Sequence, residues 1–401
     1  MRLLEGFRVL DISRLIPGPL ATMILADMGA DVIKVEDTGL GDYFRMGGDE
    51  AHAGMRTAFV YLNRNKRSVS IDFRKREGQA LVYALARTSH IFVESARPGA
   101  SAKLGLGYEH LKAVNPRIVY CSLTGFGQTG PFAQLATHGG AYDAVTGVAV
   151  PYQVKDGSYV QYRPYPHIGT TAGPWAAAIA ILGALLKAEK TGQGSYLDIS
   201  CADAGLMSLD REIDSVFNGQ HKGWPDPEEN VSVKYSYYKT KDDRFMLLQA
   251  IEQHFWEHFC ETAGRPDLKT RGDWSESHMD SGHGDIELRE ELIKLFRTKT
   301  QAEWTELFLE NNIAGAPYYP LNEVEHTELF RAREMVIEEE HPIAGKVKMV
   351  TSAIKVDGDP FEIRRPAPEL GRDTEEVLSE IGYTAEAIAA LKEQGVIGGR
   401  K

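Results

Sequence analysis

The segment "PHIGTTAGPW" at residues 166–175 precedes an apolar run that is typical of a helix, and helix starts often carry chemistry. This start offers the hydroxyl groups of Thr170 and Thr171 but no carboxylate. A threonine hydroxyl can be acylated only when a base activates it. Without such a base, we expect Thr170 to cap the helix that runs toward Gly192, or to line a polar site.

Four cationic side chains lie in and just after the predicted strand of "NRNKRSVSIDF", namely Arg64, Lys66, Arg67 and Arg74. Lysine and arginine form charge-assisted hydrogen bonds to phosphate oxygens, so such a patch could bind the phosphates of a soluble cofactor. Charge alone favours the simpler interpretation, which is a solvated surface.

The opening stretch "FRVLDISRLIPGPLATMILADMGADVIKVE" predicts a strand, a helix between Pro19 and Gly29, and a second strand. Further buried strands are predicted at 90–95, 117–123 and 196–200, with helical patterns between them, and this alternation indicates an α/β fold with a parallel sheet flanked by helices. The first turn lacks the GxGxxG glycines of a dinucleotide cradle, and its two prolines remove amide donors. A nicotinamide dehydrogenase is therefore disfavoured.

At 401 residues the chain is long for one core and predicts two lobes. Its character changes after about residue 210, where polar loops surround the strand "FMLLQAI" and an amphipathic helix that begins near Gln253. The tail carries two short helical segments joined at Gly382. We therefore predict a large domain from residues 1–210 and 331–401, and a small α+β domain with its linkers from residues 211–330.

Composition excludes several function classes. A net charge of −12 without a long basic block argues against a nucleic-acid partner. Cys121, Cys201 and Cys260 have no CxxC spacing, so neither a disulfide framework nor a metal site is expected. The chain lacks a secretory signal pattern, and its longest apolar run is too short and too rich in Ala and Gly for a membrane span. We expect a cytoplasmic protein that is not bound to a membrane.

Five ordered stretches resemble signatures of the class III CoA-transferase and 2-methylacyl-CoA racemase family. The resemblance implies a Rossmann-like large domain, a smaller lobe and a dimer of two interlocked, ring-like chains. It implies a coenzyme A thioester as substrate and no permanently bound cofactor. The stretches are "VLDISRLIPGPLATMILADMGADVIKVE", "NRNKRSVSIDF", "FVESARPGASAKLGLGYEHL", "NPRIVYCSLTGFGQTGP" and "APELGRDTEEVL".

Similarity to formyl-CoA transferase, a member of this family, places contacts to CoA on five positions: Leu15, Asp37, Ile71, Ser95 and Lys103. Ile71 and Lys103 are chemically close to the residues that the family uses there. Asp37 stands where the family usually has a cation or a proline, and its carboxylate would repel a phosphate group.

In the transferases of this family an Asp attacks the acyl-CoA carbonyl, forms a mixed anhydride, and then carries CoA as an aspartyl thioester until an incoming acid accepts it. The segment "IGTTAGPWAAAIAILGAL" aligns without gaps with the family pattern around that Asp, and the alignment places Thr170 at the Asp position. A hydroxyl gives an ester when acylated, so exchange through an aspartyl thioester is not available to Thr170.

The racemases of the family exchange the proton α to the thioester between a His and an Asp, with a Glu assisting. "THGGAYDAVTG" resembles their His segment and indicates His138, and "QAIEQHF" indicates Glu252 as the Glu. An imidazole with a pKa of about 6.5 suits such proton transfer. The racemase Asp falls on the same position, Thr170. We interpret Asp143 and Asp203 as structural residues that do not replace it.

Three functions remain open. The chain could be the Asp-lacking subunit of a heteromeric CoA-transferase whose homologous partner carries the nucleophile, an arrangement similar to two-subunit benzylsuccinate CoA-transferase, with an acyl-CoA and an aromatic or other carboxylic acid as substrates. It could be a racemase or isomerase that uses His138 and Glu252. It could also be a non-catalytic protein that binds CoA thioesters.

Overall fold

The computed structural model describes residues 2–46, 55–161, 167–220, 222–224 and 231–398. Within these ranges the strands are β1 (Arg8–Asp11), β2 (Asp31–Glu36), β3 (Lys66–Ser70), β4 (Ile91–Glu94), β5 (Val119–Thr124), β6 (Pro151–Gln153), β7 (Tyr159–Gln161), β8 (Ser195–Ser200), β9 (Tyr235–Lys239), β10 (Phe245–Gln249), β11 (Gly315–Pro317), β12 (Val336–His341) and β13 (Gly345–Val350).

The α-helices in the same ranges are α1 (Pro17–Asp27), α2 (Thr57–Asn63), α3 (Arg76–Arg87), α4 (Ala100–Lys103), α5 (Tyr108–Val114), α6 (Gly139–Val145), α7 (Ile168–Thr191), α8 (Cys201–Met207), α9 (Asp210–Phe217), α10 (Gln253–Thr262), α11 (Ile286–Phe296), α12 (Gln301–Glu310), α13 (Glu328–Ala332), α14 (Thr374–Glu380) and α15 (Ala385–Glu393). Short 3-10 turns cover Tyr43–Arg45, Pro266–Thr270 and Leu321–His326.

A parallel six-stranded sheet with the order β3-β2-β1-β4-β5-β8 forms the centre of the larger unit, as far as the described residues show. Strands β2, β4 and β5 are buried almost from end to end because helices cover both faces of the sheet. The α/β class and the helix-flanked parallel sheet predicted from the sequence are therefore confirmed. The strand order reverses between β1 and β4, and sheets of this kind bind ligands beside such a reversal, at the carboxyl ends of the strands.

Two apolar layers hold the helices on the sheet. One layer packs α1 and α7 against one face through residues such as Ala21, Ala177 and Ile181. The other layer packs α3 and the two C-terminal helices against the opposite face, with Leu85 and Val377 fully buried. Helix α1 begins at Pro17, where a proline costs no intrahelical hydrogen bond, and thus two residues before the predicted Pro19.

The chain divides into two compact units, one from Met1–Ile213 with Glu334–Lys401 and one from Asp214–Arg333. The C-terminal segment returns to the larger unit, where the Asp373 amide donates to Ser68 O at 2.9 Å and Ile397 pairs with Ile71 in an antiparallel bridge. The smaller unit contains the antiparallel sheet β11-β10-β9 and helices α10 to α12 around an aromatic core that includes Trp256, Phe296 and Trp304.

Helix α7 is longer than the apolar run that marks it in the sequence. It extends over 24 residues, and by length and composition alone it could cross a membrane. In the fold it packs against α1, α8 and β5, and a core helix of a soluble protein passes the same test. The composition of α7 therefore does not by itself assign the chain to a membrane.

Candidate active site

A pocket of about 700 Å³ opens in the larger unit at the carboxyl ends of β1, β4 and β5. Its wall consists of the residues after β1, Ser95 and Ala96 after β4, Thr124 and Gly125 at the end of β5, and the starts of α6 and α7. The position matches the reversal of strand order, where parallel sheets bind ligands. His138, His167 and Thr170 all lie on this wall. Residues that are distant in sequence and carry possible acid-base chemistry are thus brought together.

The first turn of α7 places Thr170 inside the pocket wall. His167 is the N-cap residue of α7, and Thr170 is the third helical residue, so the expectation that Thr170 caps the helix is wrong. Thr170 is 8% exposed, and its Oγ1 atom has no hydrogen-bond partner among the described residues. The neighbouring Thr171 is exposed, and its hydroxyl donates to the His167 carbonyl at 3.0 Å.

Asp143 on α6 holds the start of α7 in place. Its side chain is fully buried, and its Oδ1 atom accepts the Gly169 amide at 2.8 Å. Its Oδ2 atom lies 3.5 Å from His167 Nδ1. The carboxylate therefore caps a helix whose own N-cap side chain makes no capping hydrogen bond, and it orients the imidazole beside Thr170. These contacts agree with the structural role that the sequence indicates for Asp143.

Gly139, which follows His138, lets α6 approach α7 closely. A methyl group added at Gly139 would lie 2.4 Å from Thr170 Oγ1 and 3.9 Å from His167 Cγ. Gly139 therefore has no room for a side chain unless one of the two helices moves.

We expect Gly139→Ala to disturb the pocket, because the added methyl overlaps the Thr170 hydroxyl. Overpacking of this kind costs about 1–3 kcal/mol, which urea denaturation measures, and titration calorimetry with CoA should show weaker binding. Gly183→Ala is the matched control in α7, because no atom lies within 4 Å of a methyl group at Gly183. The control should gain about 0.5–1 kcal/mol from helix propensity. Equal stability of the two variants would contradict the close packing described above.

The positions that the family resemblance assigns to CoA contacts have different surroundings. Leu15 and Ser95 lie on the pocket wall. Ile71 is fully buried in the core, and Lys103 is an exposed residue at the end of α4. Asp37 forms an ion pair with Arg14 at 3.0 Å, and the Arg14 guanidinium, which also lies on the wall, offsets the negative charge of Asp37.

Leu15 has an unusual backbone conformation. Its φ angle is +64°, in the left-handed region that side chains other than glycine seldom adopt. Its amide donates to both carboxylate oxygens of Asp42 at 3.2 Å, and the preceding Arg14 amide donates to Ser95 Oγ at 3.2 Å. These hydrogen bonds fix the loop that forms one side of the pocket.

The cationic patch around β3 is mostly buried, so its interpretation as a solvated surface is wrong for three of its four residues. Arg64 pairs with Asp27 at 2.6 Å, Lys66 with Asp11 at 3.3 Å, and Arg67 with Asp31 at 2.6 Å. Only the fourth cation has a mostly exposed side chain, and it pairs with Asp72. Because the buried cations are already paired with carboxylates, they do not form a phosphate patch.

A second cavity of about 460 Å³ in the same unit contains Glu94, the last residue of β4. The Glu94 Oε2 atom accepts the Ala96 amide at 2.8 Å and the Ser101 hydroxyl at 2.9 Å. Among the described residues no cation pairs with this carboxyl group, and its burial raises its pKa.

We expect this raised pKa to make stability depend on pH. Between the unfolded and folded pKa values the folded chain binds more protons at Glu94, so the free energy of unfolding falls as the pH rises through that interval. Glu94→Gln should remove this decrease. The free energy of unfolding of the variant minus that of wild type should therefore be more positive at pH 8 than at pH 4.5. Denaturation midpoints across this range measure the effect. Glu109 lines the same cavity but is exposed, so Glu109→Gln should leave the pH dependence of stability unaltered.

Glu252, the racemase-like Glu of the sequence, belongs to the smaller unit. It precedes α10 as its N-cap residue and forms an isolated bridge with Met279. Thr124, in contrast, belongs to the pocket and was not singled out from the sequence. Its position as a polar residue at the carboxyl end of a buried strand, in "CSLTGFG", is the signal that could have identified it. Within the described residues no cluster of three or more His, Cys, Asp or Glu side chains could hold a metal ion.

Known proteins with similar sequences and folds identify the family. The family model described as CoA-transferase family III matches residues 4–374. Human succinyl-CoA:glutarate CoA-transferase is 32% identical and covers 98% of this chain and 90% of its own length. Succinyl-CoA:D-citramalate CoA-transferase of Chloroflexus aurantiacus is 30% identical, and the match covers 99% of this chain and 98% of that protein. The crystal structure of a mutant of Rv3272 from Mycobacterium tuberculosis matches with a TM-score of 0.79 and 26% identity, and the match covers 94% of this chain and 99% of that one. The chain therefore belongs to CoA-transferase family III.

Proposed function

We propose that this chain is the nucleophile-lacking subunit of a CoA-transferase that works with a homologous, Asp-bearing subunit. The observation that carries the proposal is the pocket at the start of α7. The resemblance of "IGTTAGPWAAAIAILGAL" to the family pattern puts Thr170 where the pattern has its catalytic Asp, and among the described residues no Asp or Glu lines the pocket. The larger unit provides the CoA-binding domain, and the interlocked dimer expected for the family brings the two subunits together in the cytoplasm.

The chemistry of CoA exchange requires a carboxylate at this place. An Asp that attacks an acyl-CoA becomes part of an anhydride, so the released CoA thiolate can attack the Asp carbonyl and remain on the enzyme as a thioester. A threonine that attacks the same acyl-CoA becomes an ester whose only carbonyl belongs to the acyl group. The CoA thiolate then finds no enzyme carbonyl to attack, and Thr170 cannot hold CoA between donor and acceptor.

The substrates that we propose are a succinyl-CoA type of donor and a carboxylic or aromatic dicarboxylic acid as acceptor. Two relatives are named for transfer from succinyl-CoA, to glutarate and to D-citramalate respectively. In this chain Leu15 and Ser95 on the wall, with Ile71 and Lys103 from the family alignment, are the proposed CoA contacts. Asp37 joins them only indirectly, through its ion pair with Arg14.

The test compares the purified chain alone with the chain mixed with a co-encoded homologue. Exchange of CoA between succinyl-CoA and glutarate or benzylsuccinate is measured by chromatography of the acyl-CoA products. We expect exchange only in the mixture, and the homologue's own Asp→Ala variant should abolish it. Rapid exchange by the isolated chain would refute the proposal. Specific binding of acyl-CoA without exchange in any mixture would favour a non-catalytic thioester-binding protein.

A second candidate function is racemisation or isomerisation of an acyl-CoA, and the position of His138 on the wall with Thr170 favours it. In this function His138 exchanges the proton α to the thioester, and Glu252 assists. Incorporation of solvent deuterium at the α-carbon by the wild-type chain, lost in His138→Ala, would support it. The absence of deuterium incorporation would exclude it.

A further inference from the structure

Two buried threonine hydroxyls on the wall of the pocket lack a hydrogen-bond partner among the described residues. Thr124 Oγ1 lies at the carboxyl end of β5, and Thr170 Oγ1 lies in the first turn of α7. Each of these residues is 8% exposed. A buried hydroxyl without a partner is unfavourable, because it has lost its hydrogen bonds to water. A ligand that brings acceptor oxygens into the pocket would restore those bonds.

The segments that carry the two threonines pack near the same aromatic side chain. A methyl group built on Gly125, which follows Thr124, would meet the Tyr142 ring at 2.5 Å. A methyl group built on Gly169, which precedes Thr170, would meet Tyr142 Cβ at 2.9 Å. Thr124, Tyr142 and Thr170 all line the same pocket, so one ligand in that pocket would lie beside both threonines.

The groups on the wall suit an anion. The described lining residues include the imidazoles of His138 and His167 and the guanidinium of Arg14, which Asp37 also contacts, and no carboxylate is among them. The buried Asp143 carboxylate lies behind His167, on the Nδ1 side of the imidazole, and is not part of the wall. The 24-residue helix α7 also begins at this wall, and of its first amides that of Gly169 is already bonded to Asp143. A carboxylate accepts hydrogen bonds through two oxygens and donates none, so it complements hydroxyl donors in this field.

We propose that the Thr124 and Thr170 hydroxyls donate to a carboxylate group of a free dicarboxylic acid and hold it without covalent chemistry. This inference rests on the proposed function, in which Thr170 cannot form the thioester intermediate. An Asp at position 170 would repel an incoming carboxylate, whereas threonine offers it a hydrogen bond. The substitution thereby converts the place of a nucleophile into a binding site for the acid substrate.

The test is titration calorimetry of the purified full-length chain with glutarate, and separately with CoA that carries no acyl group. Thr170→Val and Thr124→Val remove one hydroxyl each at similar side-chain volume, and each should weaken glutarate binding by about tenfold or more. Thr170→Ser keeps the hydroxyl and should bind glutarate as wild type does. Thr171→Val is the matched control, because the Thr171 hydroxyl is exposed and lies outside the pocket wall. CoA affinity should be the same in all these variants.

Circular dichroism melts establish that each variant is folded before titration. Equal glutarate affinity in wild type, Thr170→Val and Thr124→Val would overturn the proposal, and so would the absence of saturable binding by wild type. The CoA-exchange assay tests the proposed function independently of glutarate binding. Glutarate binding that depends on Thr170, together with rapid exchange by the isolated chain, would preserve the carboxylate site and refute the subunit role.

Discussion

Thr170→Asp is expected to give the isolated chain the CoA-transfer activity that, under the proposed function, the wild-type chain does not have by itself. Asp and Thr have similar volumes, and the Thr170 side chain lies in a pocket where its hydroxyl has no partner to lose among the described residues. The new carboxylate can attack succinyl-CoA and expel the CoA thiolate, leaving a mixed anhydride. The thiolate then attacks the aspartyl carbonyl and releases succinate, and an acceptor acid takes CoA from the resulting aspartyl thioester. Among the described lining residues there is no other carboxylate, so the added negative charge meets no like charge on the wall.

The rate of exchange between succinyl-CoA and glutarate should rise by about 10²-fold or more above wild type, which is the effect that single catalytic groups commonly have. Mass spectrometry of the variant with succinyl-CoA should detect an adduct with the mass of CoA on the peptide that contains position 170. Thr170→Asn provides a neutral side chain of the same shape, and Thr171→Asp places the charge on the exposed neighbour. Neither should form the adduct. A folded Thr170→Asp chain that binds CoA but forms no adduct would refute the placement of the family Asp at this position.

The sheet could be predicted from the sequence because its strands carry short runs of β-branched and aromatic residues that alternate with helical patterns. "DVIKVE" and "RIVYCSL" match β2 and β5 within two residues, since helices on both faces select such runs. The order of the strands could not be predicted, because it depends on crossover connections that leave no local signal. The start of α7 was expected too late in the chain, because Thr170 was taken as its cap whereas the helix begins at Ile168.

The charged residues show the limit of local reasoning most clearly. Arg64 and Arg67 looked like surface residues because their carboxylate partners are far away in the chain. Asp27 lies 37 residues before Arg64, and Glu380 lies 313 residues after Arg67. Only the tertiary fold brings these groups together and buries them. Thr124 was missed for a related reason, since a threonine at the end of a strand acquires meaning only when the strand is known to end in a pocket.

Asp11→Asn is expected to destabilise the larger unit strongly. The Asp11 carboxylate is fully buried, and it accepts hydrogen bonds from the Ser13 amide at 2.9 Å, from Thr22 Oγ1 at 2.6 Å and from Lys66 Nζ at 3.3 Å. Loss of its charge leaves the buried Lys66 ammonium without its carboxylate, and breaking a buried pair in this way costs about 3–5 kcal/mol. Because Asp11 also fixes Ser13, the loop that carries Leu15 into the pocket wall should loosen with it.

The pH dependence of the stability lost in Asp11→Asn identifies the cause of that loss. Burial lowers the pKa of Lys66 from 10.5 in the unfolded chain to about 8, so the folded chain already binds fewer protons there between these values and gains stability as the pH rises. Without the Asp11 charge, Lys66 releases its proton at a still lower pH. The deficit of Asp11→Asn should therefore be largest below the lowered pKa of Lys66 in the variant, shrink as the pH rises toward 8, and stay constant above it. Urea denaturation at several pH values from 5 to 9 measures the change.

Two further variants separate the buried pair from general charge effects. Adding Lys66→Met to Asp11→Asn removes the uncompensated cation and should recover part of the lost stability, which a double-mutant cycle quantifies. Glu375→Gln breaks the exposed ion pair with Lys392 and should cost less than about 1 kcal/mol. A deficit in Asp11→Asn that stays constant with pH and that Lys66→Met does not reduce would show that lost hydrogen bonds, rather than a stranded charge, account for it.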